Sequence, residues 1–327
     1  MKQIISAVRR ALFIKGMWLM GRYFLKRLFM LIPVIFVVSF LVYWMMSKTG
    51  DPARTLAGDQ MTEAQVEQLR EQMGLNQPLI IRYVQYISGA LRGDFGESLY
   101  GKDVWQEYIA RLPYTCVLAV AAMLLVVLLS IPLGIIAALK RGTMVDAGLS
   151  ALAVLGLSIP GFWLGIMLVL AFSLKLNWFP TGGAASVRSI ILPAITAAAP
   201  NAALITRTTR SSMLDALSAD YLRTARAKGV LEREVVLKHA LKNALIPIIT
   251  LVGSQFSILI GGTFVVETVF SWPGVGNLIV TAVRSNDYNM VTGSVILTTI
   301  LVALILLAVD MLYALVDPRI KAQYARE

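Results

Sequence analysis

Six runs of predominantly apolar residues, at 28–46, 115–139, 149–174, 190–205, 244–266 and 291–315, leave this chain few folds to choose from. About twenty such residues cover a hydrocarbon core as a helix, and a helix satisfies its backbone hydrogen bonds internally where no water is present. Composition agrees: 57% of residues are hydrophobic, 15% are charged, and the mean hydropathy is +0.71. The expected fold is an all-α integral membrane protein with six transmembrane helices. The fourth run, "IILPAITAAAPNAALI", is rich in alanine and interrupted by Pro193 and Pro200. Small residues of this kind suit a helix packed against other helices.

Domain organisation follows from the runs. Residues 1–27 form a basic N-terminal segment, 28–46 an anchor helix, 47–113 a long polar insertion, 114–316 a five-helix membrane domain, and 317–327 a tail. The 28–46 run exceeds a signal peptide's apolar region, and "WMMSKTGDP" offers no small-x-small cleavage site, so it reads as a retained anchor. The stretch "AVRRALFIKGMWLMGRYFLKRLF" suits a helix lying along the inner membrane surface. A start at Met17 or Met20, with the preceding residues dispensable, is equally compatible.

Twenty of the 30 lysines and arginines fall in segments that are cytoplasmic if the N-terminus is cytoplasmic. Seven of the others lie in 47–113, where nine acidic residues outnumber them. The net charge of +11 is therefore a topology signal, with both termini inside, and does not indicate nucleic-acid binding.

The 47–113 insertion is expected to be a small extracytoplasmic helical segment. "TEAQVEQLREQMGL" has Thr62 as an N-cap, helical spacing at Val66, Leu69 and Met73, and a stop at Gly74, and "PLIIRYVQYISGAL" is a second amphipathic stretch. It has no cluster of acid, base and nucleophile, so docking or gating suits it better than catalysis.

The opposite charge pattern marks the segment before the fifth run. Between Tyr221 and Asn243 eight residues are charged. Asp220 is placed to cap a short helix over 221–228, with Leu222 and Ala225 on one face and Gly229 ending it in a left-handed conformation. A second helix follows through "LEREVVLKHALKN", with Glu234 and Lys238 spaced for an i,i+4 pair. Ala225 and Gly229 would allow another protein to approach the backbone closely. A solvated basic loop that only enforces topology explains the same composition.

This loop resembles the cytoplasmic "EAA" loop of importer permeases of the ATP-binding-cassette class, whose pattern is E-A-A-x3-G-x9-I-x-L-P. Here the pattern's positions hold Arg223, Thr224, Ala225, Gly229, His239, Leu241 and Lys242, of which Ala225, Gly229 and Leu241 match. The departures at Arg223, His239 and Lys242 resemble the peptide and nickel importer subgroup. Further stretches similar to that subgroup are "RLFMLIPVIFVVSFLVY", "GDFGESLYGKDV", "SIPGFWLGIMLVLAFSL" and "ETVFSWPGVG". The similarity runs from about residue 21 to Arg319.

The resemblance implies a coupling loop over 212–243, with Tyr221, Arg223, Thr224, Ala225, Arg226, Lys228, Gly229, His239 and Leu241 seated against an ATPase. It implies a second homologous permease, two cytoplasmic ATPase subunits and an extracytoplasmic substrate-binding protein as partners, in a bacterial inner membrane. ATP and Mg would belong to the ATPases, since no G-x-x-x-x-G-K-[ST] loop is present here. An outer gate or docking surface would include Glu267, Trp272, Pro273 and Gly274. Within the subgroup cargo spans peptides, glutathione and nickel or metal chelates, and peptide is the expectation.

Polar residues inside apolar runs are candidates for a translocation path, here Asn201, Ser254 and Gln255. Interhelical hydrogen bonding is an equal reading of them. Asp310 suits a partner near the inner end of its span, and Glu267 either a cap on the following turn or a partner contact. One cysteine, Cys116, and one histidine, His239, exclude a disulfide framework and leave no metal site to this chain. Cys116 reads as a small buried hydrophobe and His239 as a hydrogen-bonding loop residue. An ion-driven transporter would call for repeat symmetry and paired midplane charges, which are not evident. A non-transporting membrane receptor shares the loop's physics and differs only in lacking transport.

Overall fold

The computed structural model describes residues 29–58 and 61–316; the segments 1–27 and 317–327, read above as an interfacial helix and a tail, lie outside the described residues. The described residues are helical apart from turns, loops and one isolated bridge between Glu97 and Asp103. Five helices are long and apolar enough to span a membrane, or six if one bent pair counts as a single span.

The first span, α1 (Phe29–Thr49), leads into a helical insertion made of α2 (Pro52–Ala57), α3 (Glu63–Gln72) and α4 (Leu79–Ala90). Thr62 and Gln65 form a reciprocal capping box at the start of α3, and Gly74 takes φ +66 after its end. Val66 is fully buried against Ala53 and Ala57, with Leu69 and Met73 packed beside it. Asp51 accepts from the Ala53 N–H as N-cap of α2 and receives the Arg70 guanidinium at 2.6 and 2.8 Å, which ties α2 to α3.

The second span, α5 (Val104–Leu139), is 36 residues long. At 1.5 Å per residue that is about 54 Å, longer than a hydrocarbon core of ~30 Å, so its first turns rise into the insertion. Val104 and Tyr108 accordingly pack with Phe95, Tyr288 and Val291.

The third apolar run is not one helix. α6 (Met144–Ser158) and α7 (Gly161–Leu168), which continues as a π-helical stretch to Lys175, meet at 100°. Proline disfavours helical geometry in the residue before it, and Ile159 is extended (φ −79°, ψ 122°) ahead of Pro160.

The alanine-rich run forms α8 (Ile191–Ser218), the most buried of the spans. Its buried Ala194, Ala197, Ala198 and Ala203 let neighbouring helices approach closely, as the sequence predicts. A Cβ at Gly134 of α5 would lie 2.5 Å from the Thr209 Cβ of α8, so these two backbones pack at a distance only glycine permits.

After α8 come α9 (Asp220–Ala227) and α10 (Glu232–Glu234). A π-helical turn, Val235–Ala240, joins α10 to α11 (Leu241–Gly262) without a break. The second loop helix is therefore the start of the fifth span. That span stops at Gly262, short of the expected 266, and α12 (Phe264–Val269) and α13 (Val275–Arg284) follow before α14 (Tyr288–Val316).

Side-chain ties fix which ends lie together. The Leu99 N–H donates to Asp287 and Asn289 donates to the Glu97 carbonyl, so the α14 N-terminus sits against the insertion. Burial pushes the Asp287 carboxyl up from its ordinary range, opposed by N–H donors from Met290 and Leu99. At the opposite end, Asp146 of α6 takes a fork of two bonds from Arg210 of α8, at 2.6 and 2.8 Å, and a third from the Gly142 N–H.

Asp146 is 6% exposed, so removing Arg210 leaves a shielded carboxylate without its cation. Arg210→Met, which leaves the Asp146 carboxylate without its guanidinium, is expected to lower the unfolding temperature more than Asp146→Ala, which leaves the more open Arg210. The double substitution should lose much less than the sum. Thermal unfolding of the four proteins in one detergent checks this as a double-mutant cycle.

Candidate functional site

Two sites stand at opposite ends of the bundle. The first is the charged loop between α8 and α11. α9 is strongly amphipathic: Leu222 is fully buried, Ala225 packs half-buried against the core, and Tyr221, Arg223, Thr224, Arg226 and Lys228 are exposed.

Asp220 does not cap α9 with its side chain. The helix begins at Asp220, with Ala219 in the cap position and making no side-chain bond. Asp220 sits in the first turn, where a negative charge still faces the positive end of the helix dipole, and pairs at 3.6 Å with exposed Arg223.

The helix ends as expected at Gly229, whose φ is +79°. The Gly229 N–H donates to the Arg226 carbonyl and the Val230 N–H to the Ala225 carbonyl, closing the last turn. No heavy atom lies within 4 Å of where a Gly229 Cβ would be, so the turn opens outward. Beyond it, Arg226 holds Glu232 through two bonds at 2.8 and 3.0 Å, and Glu234 pairs with Lys238 at 2.6 Å. Asn243 donates to the Tyr221 hydroxyl (2.8 Å) and to the His239 carbonyl (3.1 Å), fastening α9 to the start of the span. The His239 side chain is exposed and Leu241 is half-buried. The result is a knuckle with a basic rim, anchored into the packed helical core by Leu222.

The second site surrounds Glu267, at the end that carries the insertion. Glu267 is wholly buried. Its Oε1 accepts from Thr115 Oγ1 (2.7 Å) and Thr263 Oγ1 (3.0 Å), and its Oε2 accepts from the Asn277 N–H (3.0 Å). Thr115 Oγ1 in turn accepts from the Val275 N–H at 2.8 Å. The carboxylate thus caps the α13 N-terminus, where the helix dipole favours an anion, and links α5, α12 and α13.

Gly274 has to be glycine, since any Cβ there would run into the Glu267 carboxylate. Trp272 is buried, donates from Nε1 to the Tyr114 carbonyl (3.0 Å), and meets the Tyr114 ring edge to face at 6.2 Å. Pro273 is half-buried. Glu267, Trp272 and Gly274 are thereby brought together as an internal joint.

The three polar residues considered for a path are not joined by a bond. Asn201 donates to the Ala197 carbonyl (2.9 Å) and Ser254 to the Thr250 carbonyl (3.1 Å), each within its own helix, while Gln255 is half-buried on α11. Sequence reasoning missed Thr115, Asn277 and the Asp146–Arg210 pair. Thr115 and Asn277 carry no local signal, whereas Arg210 was visible only as one of the loop-side charges. Among the described residues no group of three or more His, Cys, Asp or Glu side chains is placed to hold a metal.

The fold and the two sites define a polytopic helical membrane subunit, with an anchored knuckle at one end of the bundle and a jointed helical insertion at the other. Residues 130–322 match the family described as "Binding-protein-dependent transport system inner membrane component", and residues 20–119 match the N-terminal model of such membrane components. The chain belongs to this family and is an importer permease of the ATP-binding-cassette class.

It is 45% identical over 304 residues to the glutathione transport system permease protein GsiC of Escherichia coli (strain K12), covering 92% of this chain and 99% of that one. The GsiC of Shigella dysenteriae serotype 1 (strain Sd197) gives the same figures. Among solved structures, an inward facing conformation of the MetNI methionine ABC transporter aligns with a TM-score of 0.55 at 19% identity, over 65% of this chain and 97% of that one. At that identity the likeness is one of fold.

Proposed function

We propose that this permease pairs with a second, homologous permease in a bacterial inner membrane and moves small peptides inward, with both of its termini in the cytoplasm. In this reading the chain hydrolyses nothing itself. ATP and Mg bind to two cytoplasmic ATPase subunits that grip the knuckle around Ala225 and Gly229, and a substrate-binding protein delivers cargo at the insertion.

The observation that carries the proposal is the Gly229 turn, left-handed and open, on a helix held to the core by Leu222 and to the fifth span by the Tyr221–Asn243 bond. A displacement of α9 would therefore be transmitted to α8 and α11 together. The similarity to glutathione permeases supports a short peptide, glutathione itself being a tripeptide, and ranks that cargo ahead of a metal chelate.

Mild-detergent purification from the native membrane, with mass spectrometry of what accompanies the chain, tests the assembly. A second permease with one or two ATPases is the expected result. A chain that comes out alone in several detergents, and vesicles in which ATP drives no glutathione or dipeptide uptake, would overturn it.

A further inference from the structure

A crevice between the spans carries a ligand assignment that goes beyond the transport reading and rests only on insertion in a membrane. Two cavities, of about 460 and 400 Å³, share Gly261, Ile279 and Thr298 as lining and so adjoin one another as a slot between α11, α13 and α14. Leu31 and Val34 of α1 flank it, and Leu307 lies at its far end. Along α14 the lining runs from residue 295 to 307, about 18 Å at 1.5 Å per residue, while half of a ~30 Å hydrocarbon core is about 15 Å.

The hydroxyls in the wall are already satisfied. Thr298 donates to the Ser294 carbonyl (2.7 Å), Thr299 to the Val295 carbonyl (2.8 Å), and Thr263 to Glu267 (3.0 Å). Between the spans the wall therefore offers a peptide no unmet hydroxyl, and its surface there is effectively hydrocarbon. At the end nearer the insertion the lining includes Arg284, the last residue of α13, which is exposed and makes no ion pair among the described residues.

We infer that this slot holds one acyl chain of a phospholipid from the leaflet on the insertion side, with the lipid phosphate paired to Arg284. A guanidinium at the membrane surface matches a phosphate in charge and in hydrogen-bond geometry.

Native mass spectrometry of the purified transporter, titrated with phosphatidylglycerol and with diacylglycerol of the same chains, tests the assignment. One phosphatidylglycerol per copy of this chain should resist delipidation and be preferred at least tenfold over diacylglycerol. Ile279→Trp, which fills the slot, should release it, and Arg284→Gln should remove the preference. Unchanged retention in Ile279→Trp, or an unchanged preference in Arg284→Gln, would overturn the site.

Should Ile279→Trp fail to assemble, a fluorophore on Thr299→Cys in a Cys116→Ala background gives a second readout. Quenching by brominated-chain phosphatidylglycerol that saturates near one lipid per chain supports the slot. Absence of quenching, or crosslinking of that cysteine to the second permease, refutes it.

Discussion

Gly229→Asp is expected to leave insertion and folding nearly intact while reducing ATP-driven uptake at least a hundredfold. The chain itself has room for the new side chain, because nothing lies within 4 Å of the Gly229 Cβ position. The intrinsic penalty is the left-handed backbone at φ +79°, which costs a non-glycine residue about 1–2 kcal/mol and aspartate less than most. That is too little to unfold an element anchored by Leu222 and closed by the Arg226–Glu232 and Tyr221–Asn243 contacts. Any large functional loss must then arise where the turn meets another protein, since bulk and negative charge would be pushed into that contact. The measurement compares expression, thermal stability and ATPase co-purification of the variant with its uptake in vesicles. Normal uptake by a normally assembled Gly229→Asp complex would end the coupling assignment.

Glu267→Ala should act in the opposite way, through folding. The substitution removes an acceptor used by two hydroxyls and one backbone N–H in a fully buried place, and takes a negative charge away from the α13 N-terminus. Hydrogen bonds to a charged group contribute about 1.5–3 kcal/mol each, and the stranded donors add their own desolvation penalty, so a loss of roughly 4 kcal/mol or more is expected. Glu267→Gln should recover only part of it, because one side of the amide presents N–H groups to donors that need an acceptor. Fluorescence-detected thermal unfolding in detergent reads the difference. If both variants melt with the wild type, α13 is not held by this carboxylate. Thr115→Val offers an internal check: its effect should largely vanish in the Glu267→Ala background, since the two side chains act through the same bond.

Both predictions depend on features that differ in how far they could be read from sequence. The left-handed stop at Gly229, the Glu234–Lys238 pair, the Thr62 cap and the buried face of α3 follow from residues within one or two turns of each other, and each forms as expected. The Asp220 cap does not: the helix begins one residue earlier, which puts Ala219 in the cap position and Asp220 in the first turn. Proline illustrates the same boundary. Pro113, Pro132, Pro200 and Pro247 lie inside continuous helices, whereas Pro160 accompanies a 100° bend. Of the five only Pro160 is followed by glycine, a turn-forming pair, so the bend has a local signal that proline alone does not supply.

By itself the sequence determined the hydrophobic spans, the alanine-rich helix at the centre of the bundle, the amphipathic insertion and the charged knuckle, since period, length and capping are properties of neighbouring residues. Only the tertiary structure decided that Glu267 belongs to Thr115, 152 residues away, and Asp146 to Arg210, 64 residues away. Such partners are chosen by which helix faces meet once the chain has packed, and no local pattern of residues encodes that choice.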